Sequence, residues 1–175
     1  MVWGLVSKSN SGRKFHGPFQ KPIVLVGLMG AGKTSIGRKL AERMQVSFVD
    51  ADHEIEKAAG CTITEFFEKF GEKEFRRGEK RVIERLLKSW PCILATGGGA
   101  FIDPETRATI KNTAVSIWLN ADLDTLDHRL ARRSGRPLLQ TKNPRATLQS
   151  LMEKRYPIYA EADMTVDTIK GSIDV

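Results

Sequence analysis

Short apolar runs alternate with longer amphipathic segments along most of this chain. The apolar runs predict five strands, at 22–27, 46–50, 92–96, 114–119 and 164–167. The segments between them predict helices at 35–43, 52–59, 62–70, 72–88, 104–111, 122–131 and 144–156. Thr62 and Glu65 have the spacing of a capping box, which marks where one of these helices begins. The alternation predicts an α/β fold with a parallel sheet covered on both faces and ligands beyond the carboxyl ends of its strands.

The turn between the first strand and the first helix is rich in glycine. Residues 27–34 read Gly-Leu-Met-Gly-Ala-Gly-Lys-Thr, which matches the phosphate-loop pattern G-x-x-x-x-G-K-[ST]. Glycines let successive N–H groups point at one anion, Lys33 adds a positive charge, and the Thr34 hydroxyl can ligate Mg²⁺. The alternative is an ordinary strand-to-helix turn, but the fixed positions occur in the right context. The pattern therefore predicts a site for a nucleoside triphosphate.

Composition is typical of a single globular domain. The chain has 175 residues, of which 41% are hydrophobic and 28% are charged. A chain of this length buries roughly two thirds of its unfolded surface on folding. Residues 1–20 contain no acidic group and carry Lys8, Arg13 and Lys14 among serines and glycines. A transit peptide has this composition, but we interpret the segment as a disordered extension and assign the domain to 21–175.

The net charge of +7, from 28 basic and 21 acidic residues, allows two kinds of partner. Nucleic acid is one, and small anionic substrates are the other. The basic residues are spread out and form no stripe interleaved with aromatic residues, so nucleic-acid binding is not predicted. No apolar run approaches the ~20 residues of a membrane span, so no membrane partner is expected. Cys61 and Cys92 lack metal-ligand spacing, which favours free thiols in a reducing cytoplasm.

Candidate catalytic residues follow the predicted second and third strands. Asp50 and Asp52 form a D-x-D pair whose side chains would lie on one side of an extended segment. One carboxylate could then reach a metal and the other could accept a hydroxyl proton, whereas the structural alternative is that Asp52 caps a helix. Gly97, Gly98 and Gly99 follow the third strand and would let backbone approach a ligand closely. A flexible turn is the alternative for these glycines.

Arginines in three places could bind anionic groups. Arg76 and Arg77 could hold a carboxylate through a guanidinium or could belong to a solvated helix face. The polar segment 132–137 could be a lid that brings Arg136 over phosphates, or simply a basic loop. Arg155 could cap the carbonyls of its own helix or point into a cleft. Spacing does not decide between these alternatives.

These segments together resemble the shikimate kinase family over about 21–168. The matching segments are the loop at 27–34, Phe48-Val-Asp-Ala-Asp52, Phe75-Arg-Arg77 with Glu79, Thr96-Gly-Gly-Gly99, Arg136-Pro-Leu-Leu139 and Arg155-x-x-x-Tyr159. Each is unremarkable alone, but their shared order and spacing are specific. The resemblance implies a P-loop NTPase-type three-layer α/β/α fold, like the nucleoside monophosphate kinases, with a five-stranded parallel sheet. It also implies a substrate-binding region at about 51–80 and a lid at about 131–142.

The activity implied by the resemblance is ATP-dependent phosphorylation of the 3-hydroxyl of shikimate, a step toward chorismate and the aromatic amino acids. Asp52 is then expected to bind and activate the accepting hydroxyl. Arg76 and Arg155 are expected to grip the shikimate carboxylate, and Glu79 to orient Arg76. The remaining residues expected to line the shikimate pocket are Gly97, Gly98, Gly99, Phe67 and Phe75.

The resemblance also implies ATP and Mg²⁺ as co-substrate and metal. Thr34 and Asp50 are expected in the Mg²⁺ shell, and Lys33 and Arg136 are expected to act on the transferring phosphoryl group. Arg129 matches a position that stacks on adenine, although Arg132 or Arg133 could serve instead. The other expected ATP contacts come from the loop and the start of its helix: Gly30, Ala31, Gly32 and Ser35. A cytoplasmic monomer is expected.

Three rival functions differ in what they require. A related kinase for gluconate is disfavoured because the D-x-D pair, the glycine triplet and the arginine pair together suit a ring that carries a carboxylate and hydroxyls. A nucleotide-binding adaptor without catalysis would not need to keep Asp52, Lys33 and Arg136 together. A nucleic-acid-binding module is suggested only by the net charge, and it would bind oligonucleotides with a steep salt dependence.

Overall fold

The structure is a computed structural model that describes residues 21–88, 92–131 and 143–168. The strands are β1 (Ile23–Val26), β2 (Ser47–Asp50), β3 (Cys92–Ala95), β4 (Val115–Asn120) and β5 (Met164–Asp167). The helices are α1 (Lys33–Met44), α2 (Ala51–Ala59), α3 (Ile63–Leu87), α4 (Pro104–Thr113), α5 (Leu123–Leu130) and α6 (Pro144–Tyr159). The predicted lid arginine Arg136 lies outside the described residues, as do Arg132 and Arg133, the alternatives to Arg129 for the adenine contact. The extension at 1–20 and the segments 89–91 and 169–175 also lie outside them.

The five strands form one parallel sheet in the order β2-β3-β1-β4-β5. The central strand β1 pairs with β3 on one side and with β4 on the other, through Leu25 opposite Ala95 and Ile117. Every residue of β1 and β3 is buried, which explains why both strands are continuous apolar runs instead of alternating ones. The predicted α/β fold with a five-stranded parallel sheet is confirmed.

The helices begin largely where local sequence favours them. The capping box predicted for α3 is confirmed, because the Thr62 hydroxyl accepts from the Glu65 N–H at 3.2 Å and the Glu65 carboxylate accepts from the Thr62 N–H at 2.8 Å. Asp103 and Asp122 cap α4 and α5 in the same way through their carboxylates. Among the described residues, no helix is both long and apolar enough to cross a membrane.

The helices predicted at 62–70 and 72–88 form the two parts of α3, because Gly71, with φ 77° and ψ 172°, kinks the element between them. One helix end differs from the sequence expectations. The prediction that the last helix ends at 156 is wrong, because α6 continues through Pro157 to Tyr159. A proline removes one backbone hydrogen bond from a helix. The helix nevertheless continues past Pro157, because this places the completely buried Tyr159 in the hydrophobic core.

Candidate active site

The phosphate loop curls between β1 and α1 around its own lysine. Gly27 has φ 134°, and a β-carbon there would lie 2.8 Å from the Leu119 carbonyl oxygen, so only glycine fits. The Lys33 ammonium donates to the carbonyls of Gly27 and Leu28 at 2.8 and 2.9 Å. Gly32, with φ 99°, is the N-cap of α1, and the Ala31 N–H donates to the Leu28 carbonyl at 3.2 Å. The loop therefore presents a helix N-terminus and an ammonium group around one small space, an arrangement that binds anions.

Thr34, in the first turn of α1, contacts the end of β2. Its hydroxyl donates to Asp50 Oδ2 at 2.9 Å, so the two residues predicted for a metal shell lie together. Mg²⁺ commonly takes only one or two protein carboxylates and completes its octahedron with phosphate and water oxygens. One hydroxyl and one carboxylate beside a phosphate loop fit that pattern. The described residues contain no cluster of three or more His, Cys, Asp or Glu side chains that would indicate a metal held by protein alone.

The predicted extended D-x-D geometry is wrong. The strand β2 ends at Asp50, which caps α2, and Asp52 already belongs to the first turn of that helix. Asp50 Oδ1 accepts from the backbone N–H of Asp52 at 3.1 Å, so the capping residue is Asp50 and not Asp52. The helix turns the two carboxylates apart, with Asp50 toward Thr34 and Asp52 toward the glycine turn after β3.

Two carboxylates approach Gly97 from the same side. A β-carbon on Gly97 would lie 2.7 Å from Asp52 Oδ1 and 2.9 Å from Glu79 Oε1, so a side chain there would displace both. The turn is also hydrogen-bonded internally, because Ala100 N–H donates to Gly97 O and Ile102 N–H to Gly99 O. These glycines form an ordered turn that acidic side chains approach closely, and the alternative of a simply flexible turn does not describe it.

Arg76 is fixed against the same turn from α3. Its Nη1 donates to Glu79 Oε2 at 2.5 Å and its Nη2 pairs with Glu72 at 3.2 Å, while the guanidinium lies 5.2 Å from the centre of the Phe75 ring. A β-carbon on Gly99 would collide with this guanidinium. Arg77 instead pairs with Glu74 on the exposed side of the helix, so the structural alternative holds for Arg77.

Burial controls the protonation of the Arg76–Glu79 pair. Glu79 is 2% exposed, and this burial raises the pKa of its carboxyl, which Arg76 partly opposes and the charge of Asp52 reinforces. Burial lowers the pKa of Arg76, but its ion pairs with Glu79 and Glu72 more than offset that effect and leave the pKa raised. Arg76 therefore stays charged, and the buried Glu79 carboxylate fixes the orientation of its guanidinium group.

Arg155 and Tyr159 approach the turn from α6. Arg155 Nη1 donates to the Gly98 carbonyl at 3.2 Å, and the Tyr159 hydroxyl donates to the same oxygen. Arg155 thus points into the cleft and does not cap its own helix. Burial raises the pKa of Tyr159 to about 12, although the adjacent Arg155 opposes this, so the phenol is a neutral donor. The sequence predicts no role for Tyr159. Its position four residues after Arg155 is the signal that could have found it, because residues with this spacing lie on the same face of a helix.

Arg129 lies on the other side of the phosphate loop. Its guanidinium donates to the carbonyls of Gly30 and Ala31 at 3.4 Å and to the backbone carbonyl of Thr168 at 3.2 Å. Thr168 follows β5, and its hydroxyl donates to the Asn120 carbonyl at 3.0 Å. The rings of Phe67 and Phe75, which are expected to wall the substrate pocket, pack against each other with centroids 4.6 Å apart.

The parallel sheet, the phosphate loop at the end of its central strand and the acidic and basic side chains around the adjacent turn define the class, a P-loop kinase-like α/β protein. The family model for shikimate kinase matches residues 29–174. The chain is 48% identical over 163 residues to a shikimate kinase of Cereibacter sphaeroides, covering 93% of this chain and 82% of the relative. It is 57% identical over 146 residues to one of Bradyrhizobium diazoefficiens, covering 83% and 70%.

Solved structures give the same result. A shikimate kinase from Acinetobacter baumannii in complex with shikimate superposes with a TM-score of 0.83 at 42% identity, covering 87% of this chain and 86% of that one. A gluconokinase from Sinorhizobium meliloti is similar in fold, with a TM-score of 0.56, at only 18% identity and with 89% and 86% coverage. This chain belongs to the shikimate kinase family.

Proposed function

We propose that this protein transfers the γ-phosphoryl group of ATP to the 3-hydroxyl of shikimate, giving shikimate 3-phosphate on the route to chorismate. The observation that carries the proposal is the position of the glycine turn 97–99. The turn lies between the phosphate loop and a set of side chains suited to a hydroxylated acid. A β-carbon on Gly98 would lie 3.6 Å from Gly27 O in the loop and 3.7 Å from Arg155 Nη1. Two ligands bound at these places would meet at the turn.

Two arginines support the binding of a carboxylate at the turn. Arg155 contacts Gly98 and Arg76 contacts Gly99, so guanidinium groups from two different helices lie at consecutive residues. Guanidinium groups hold carboxylates in bidentate geometry, which positions a planar acid more firmly than a point charge does. In this proposal the carboxylate of shikimate lies between them, Glu79 keeps Arg76 in place, and the rings of Phe67 and Phe75 wall the pocket.

Asp52 is proposed to orient the accepting hydroxyl and to take its proton. Its carboxylate lies against Gly97, on the side of the turn occupied by the buried Glu79. Phosphoryl transfer depends on positioning and charge neutralisation more than on a strong base, so one well-placed carboxylate suffices.

The nucleotide is proposed to bind through the loop, with its phosphates at the N-terminus of α1. Contacts are proposed from Lys33 and from Gly30, Ala31, Gly32, Thr34 and Ser35. Bound Mg²⁺ would neutralise the phosphate oxygens, with Thr34 and Asp50 holding it. Arg129, which already lies over the loop, is proposed to contact adenine, and the role of Arg136 on the transferred phosphoryl stays a prediction from sequence.

Two free thiols among the described residues, Cys61 and Cys92, support a reducing cytoplasm. The proposal includes a monomer that binds no nucleic acid or membrane.

A coupled ADP-release assay with Mg-ATP tests the reaction directly. We expect release with shikimate and none above background with gluconate or quinate, and phosphorus NMR should show a new phosphomonoester. ADP release in the absence of any acid, at an equal rate, would contradict the proposal.

The Asp52→Asn variant tests the role of the carboxylate. We expect kcat to fall by about 10²–10⁴-fold, the range for loss of a proton acceptor, while titration calorimetry still detects shikimate binding. Asp124→Asn, at an exposed position of α5, is the matched control and should keep full activity. A near-normal kcat in Asp52→Asn would refute the assignment of Asp52.

A further inference from the structure

Arg107 lies on α4, and its side chain is only 18% exposed. Its Nη1 donates to the carbonyls of Phe101 and Ile102 at 3.0 and 3.1 Å. Ile102 in turn donates its N–H to Gly99 O at 3.1 Å. The guanidinium therefore holds the backbone that directly follows the glycine turn.

The same guanidinium also reaches the end of α6. Its Nε pairs with Glu161 Oε2 at 3.3 Å, and Lys111 pairs with the same carboxylate oxygen at 3.6 Å. Glu161 lies two residues after the end of α6, in a turn where its N–H donates to the Ile158 carbonyl. Arg107 thus joins two separate pieces of chain, the backbone that follows the glycine turn and the C-terminal end of the helix that carries Arg155 and Tyr159.

The glycine turn and α6 also meet at the front, where the Gly98 carbonyl accepts from Arg155 and Tyr159. Two sets of contacts therefore connect the chain at 97–102 to α6, one at Gly98 and one through Arg107. A planar guanidinium suits the second position because it donates in fixed directions to two carbonyls and a carboxylate, which a lysine ammonium cannot match.

We infer that Arg107 is a positioning residue for the acid substrate. It sets the distance between the glycine turn and Arg155, and hence the geometry of the carboxylate site, without touching the substrate. The inference rests on the proposed function and deepens it, because it adds a residue that acts on shikimate affinity through Arg155. The nucleotide side of the loop has no direct contact with Arg107 among the bonds described, so ATP binding should respond little.

Arg107→Met and Lys111→Met form a matched pair for the test. Both substitutions remove an ion pair with Glu161, but only Arg107 also donates to the backbone carbonyls that follow the glycine turn. We expect Arg107→Met to raise the KM for shikimate about tenfold, the effect of losing charge-assisted hydrogen bonds, with kcat and the KM for ATP within about twofold. Lys111→Met should leave all three constants unchanged. An unchanged shikimate KM in Arg107→Met, or an equal rise in both KM values, would overturn the inference.

A double-mutant cycle shows whether Arg107 acts through Arg155. If it does, the rise in shikimate KM for Arg107→Met combined with Arg155→Lys should be smaller than the product of the two single effects. A simple product would overturn the inference.

Should Arg107→Met fail to fold by circular dichroism, Arg107→Lys replaces it throughout, since it keeps the charge but not the fixed donor geometry. Wild-type protein that turns over no shikimate would overturn the proposed function and this inference together, whereas active wild type with normal variants would overturn the inference alone.

Discussion

Tyr159 is a buried phenol whose hydroxyl contacts the proposed pocket only through backbone. It donates to the Gly98 carbonyl beside Arg155, and no part of the side chain is exposed. The hydroxyl adds a second donor to that carbonyl and limits where the Arg155 guanidinium can lie. The phenol therefore contributes to the shape of the site, while its high pKa of about 12 keeps it out of proton transfer.

Tyr159→Phe should raise the KM for shikimate about fivefold with little change in kcat, since one neutral hydrogen bond is worth about 1 kcal/mol. Tyr156→Phe is the control, because the Tyr156 hydroxyl donates to the Ala121 carbonyl and not to the glycine turn. Steady-state kinetics on both variants decide the matter. Equal effects of the two substitutions on the shikimate KM would show that the hydrogen bond from Tyr159 to Gly98 has no specific role.

Glu79 makes the stability of the protein depend on pH. Because burial raises the pKa of its carboxyl, ionised Glu79 is less favourable in the folded chain than in the unfolded chain. Its contribution to stability is complete below the unfolded pKa and is lost as the pH rises through the folded pKa. Glutamine resembles the protonated acid and does not titrate.

Glu79→Gln should therefore gain stability relative to wild type as the pH is raised from 4 to 8. Urea unfolding at several pH values measures this difference, and Glu74→Gln, at a half-exposed position of the same helix, should show no such trend. At the same time the shikimate KM of Glu79→Gln should rise, because the ion pair that fixes Arg76 is lost. A stability difference that falls with rising pH would contradict the burial argument.

The sequence does not predict the directions in which individual side chains point. The spacing of Arg155 allowed it to cap its helix or enter the cleft, and only the packing of α6 on the sheet places it at Gly98. Asp50 and Asp52 were both recognised as candidates, but a D-x-D pattern does not say which residue ends the strand. Asp50 caps α2, so Asp52 turns toward Gly97 instead of lying parallel to its neighbour.

At the scale of elements, two glycines end helical segments in different ways. Gly60 ends α2 with φ 70° and ψ 15°, a left-handed conformation that asparagine tolerates. Gly71 interrupts α3 with φ 77° and ψ 172°, a conformation that is almost restricted to glycine. A β-carbon would meet no atom within 4 Å at either position, so backbone strain alone separates them.

Gly71→Asn should lower the free energy of unfolding by about 1–3 kcal/mol, the cost of one residue held in such a region. Gly60→Asn should cost much less, and it serves as the control because both positions are sterically open. Urea denaturation of the two variants provides the comparison. Similar small losses would mean that α3 can straighten through residue 71, and a longer helix would then appear by circular dichroism.

The existence and type of most elements followed from the sequence, since buried parallel strands and capped helices have strong local signals. The fully apolar run of β1 and the capping box at Thr62 are examples. The end of α6 did not follow, because Pro157 is a local signal to stop, whereas the buried Tyr159 beyond it is a tertiary reason to continue. A prediction of a helix end from local sequence is wrong where the packing of a large side chain outweighs one missing hydrogen bond.

For the whole molecule, the order of the strands places the proposed sites. With β1 at the centre, the phosphate loop lies between the turn after β3 and the end of β4, so the side chains proposed for the acid and those proposed for the nucleotide are expected on its two sides. The sequence predicted a parallel sheet but not which strands neighbour each other, because that order depends on pairings between distant segments. The division into a substrate-binding region at 51–80 and a lid at 131–142 stays a prediction.

Ligand binding should stabilise the whole fold if the proposed sites are correct. Shikimate at a hundred times its Kd should raise the Tm by about 5–10 °C, from linkage and the usual unfolding entropy of a chain this size. Differential scanning fluorimetry measures the shift, and gluconate at the same concentration is the control. Equal shifts with both acids would indicate general anion binding by a chain of net charge +7.

The ammonium group of Lys33, held by the carbonyls of Gly27 and Leu28, has a practical consequence for the choice of buffer. A loop already folded around its lysine is ready for any tetrahedral dianion, whether or not a nucleotide carries it. Sulfate or inorganic phosphate at high concentration should therefore compete with ATP, raising the KM for ATP while leaving kcat intact. Preparations purified by ammonium sulfate precipitation should be dialysed before nucleotide affinities are compared.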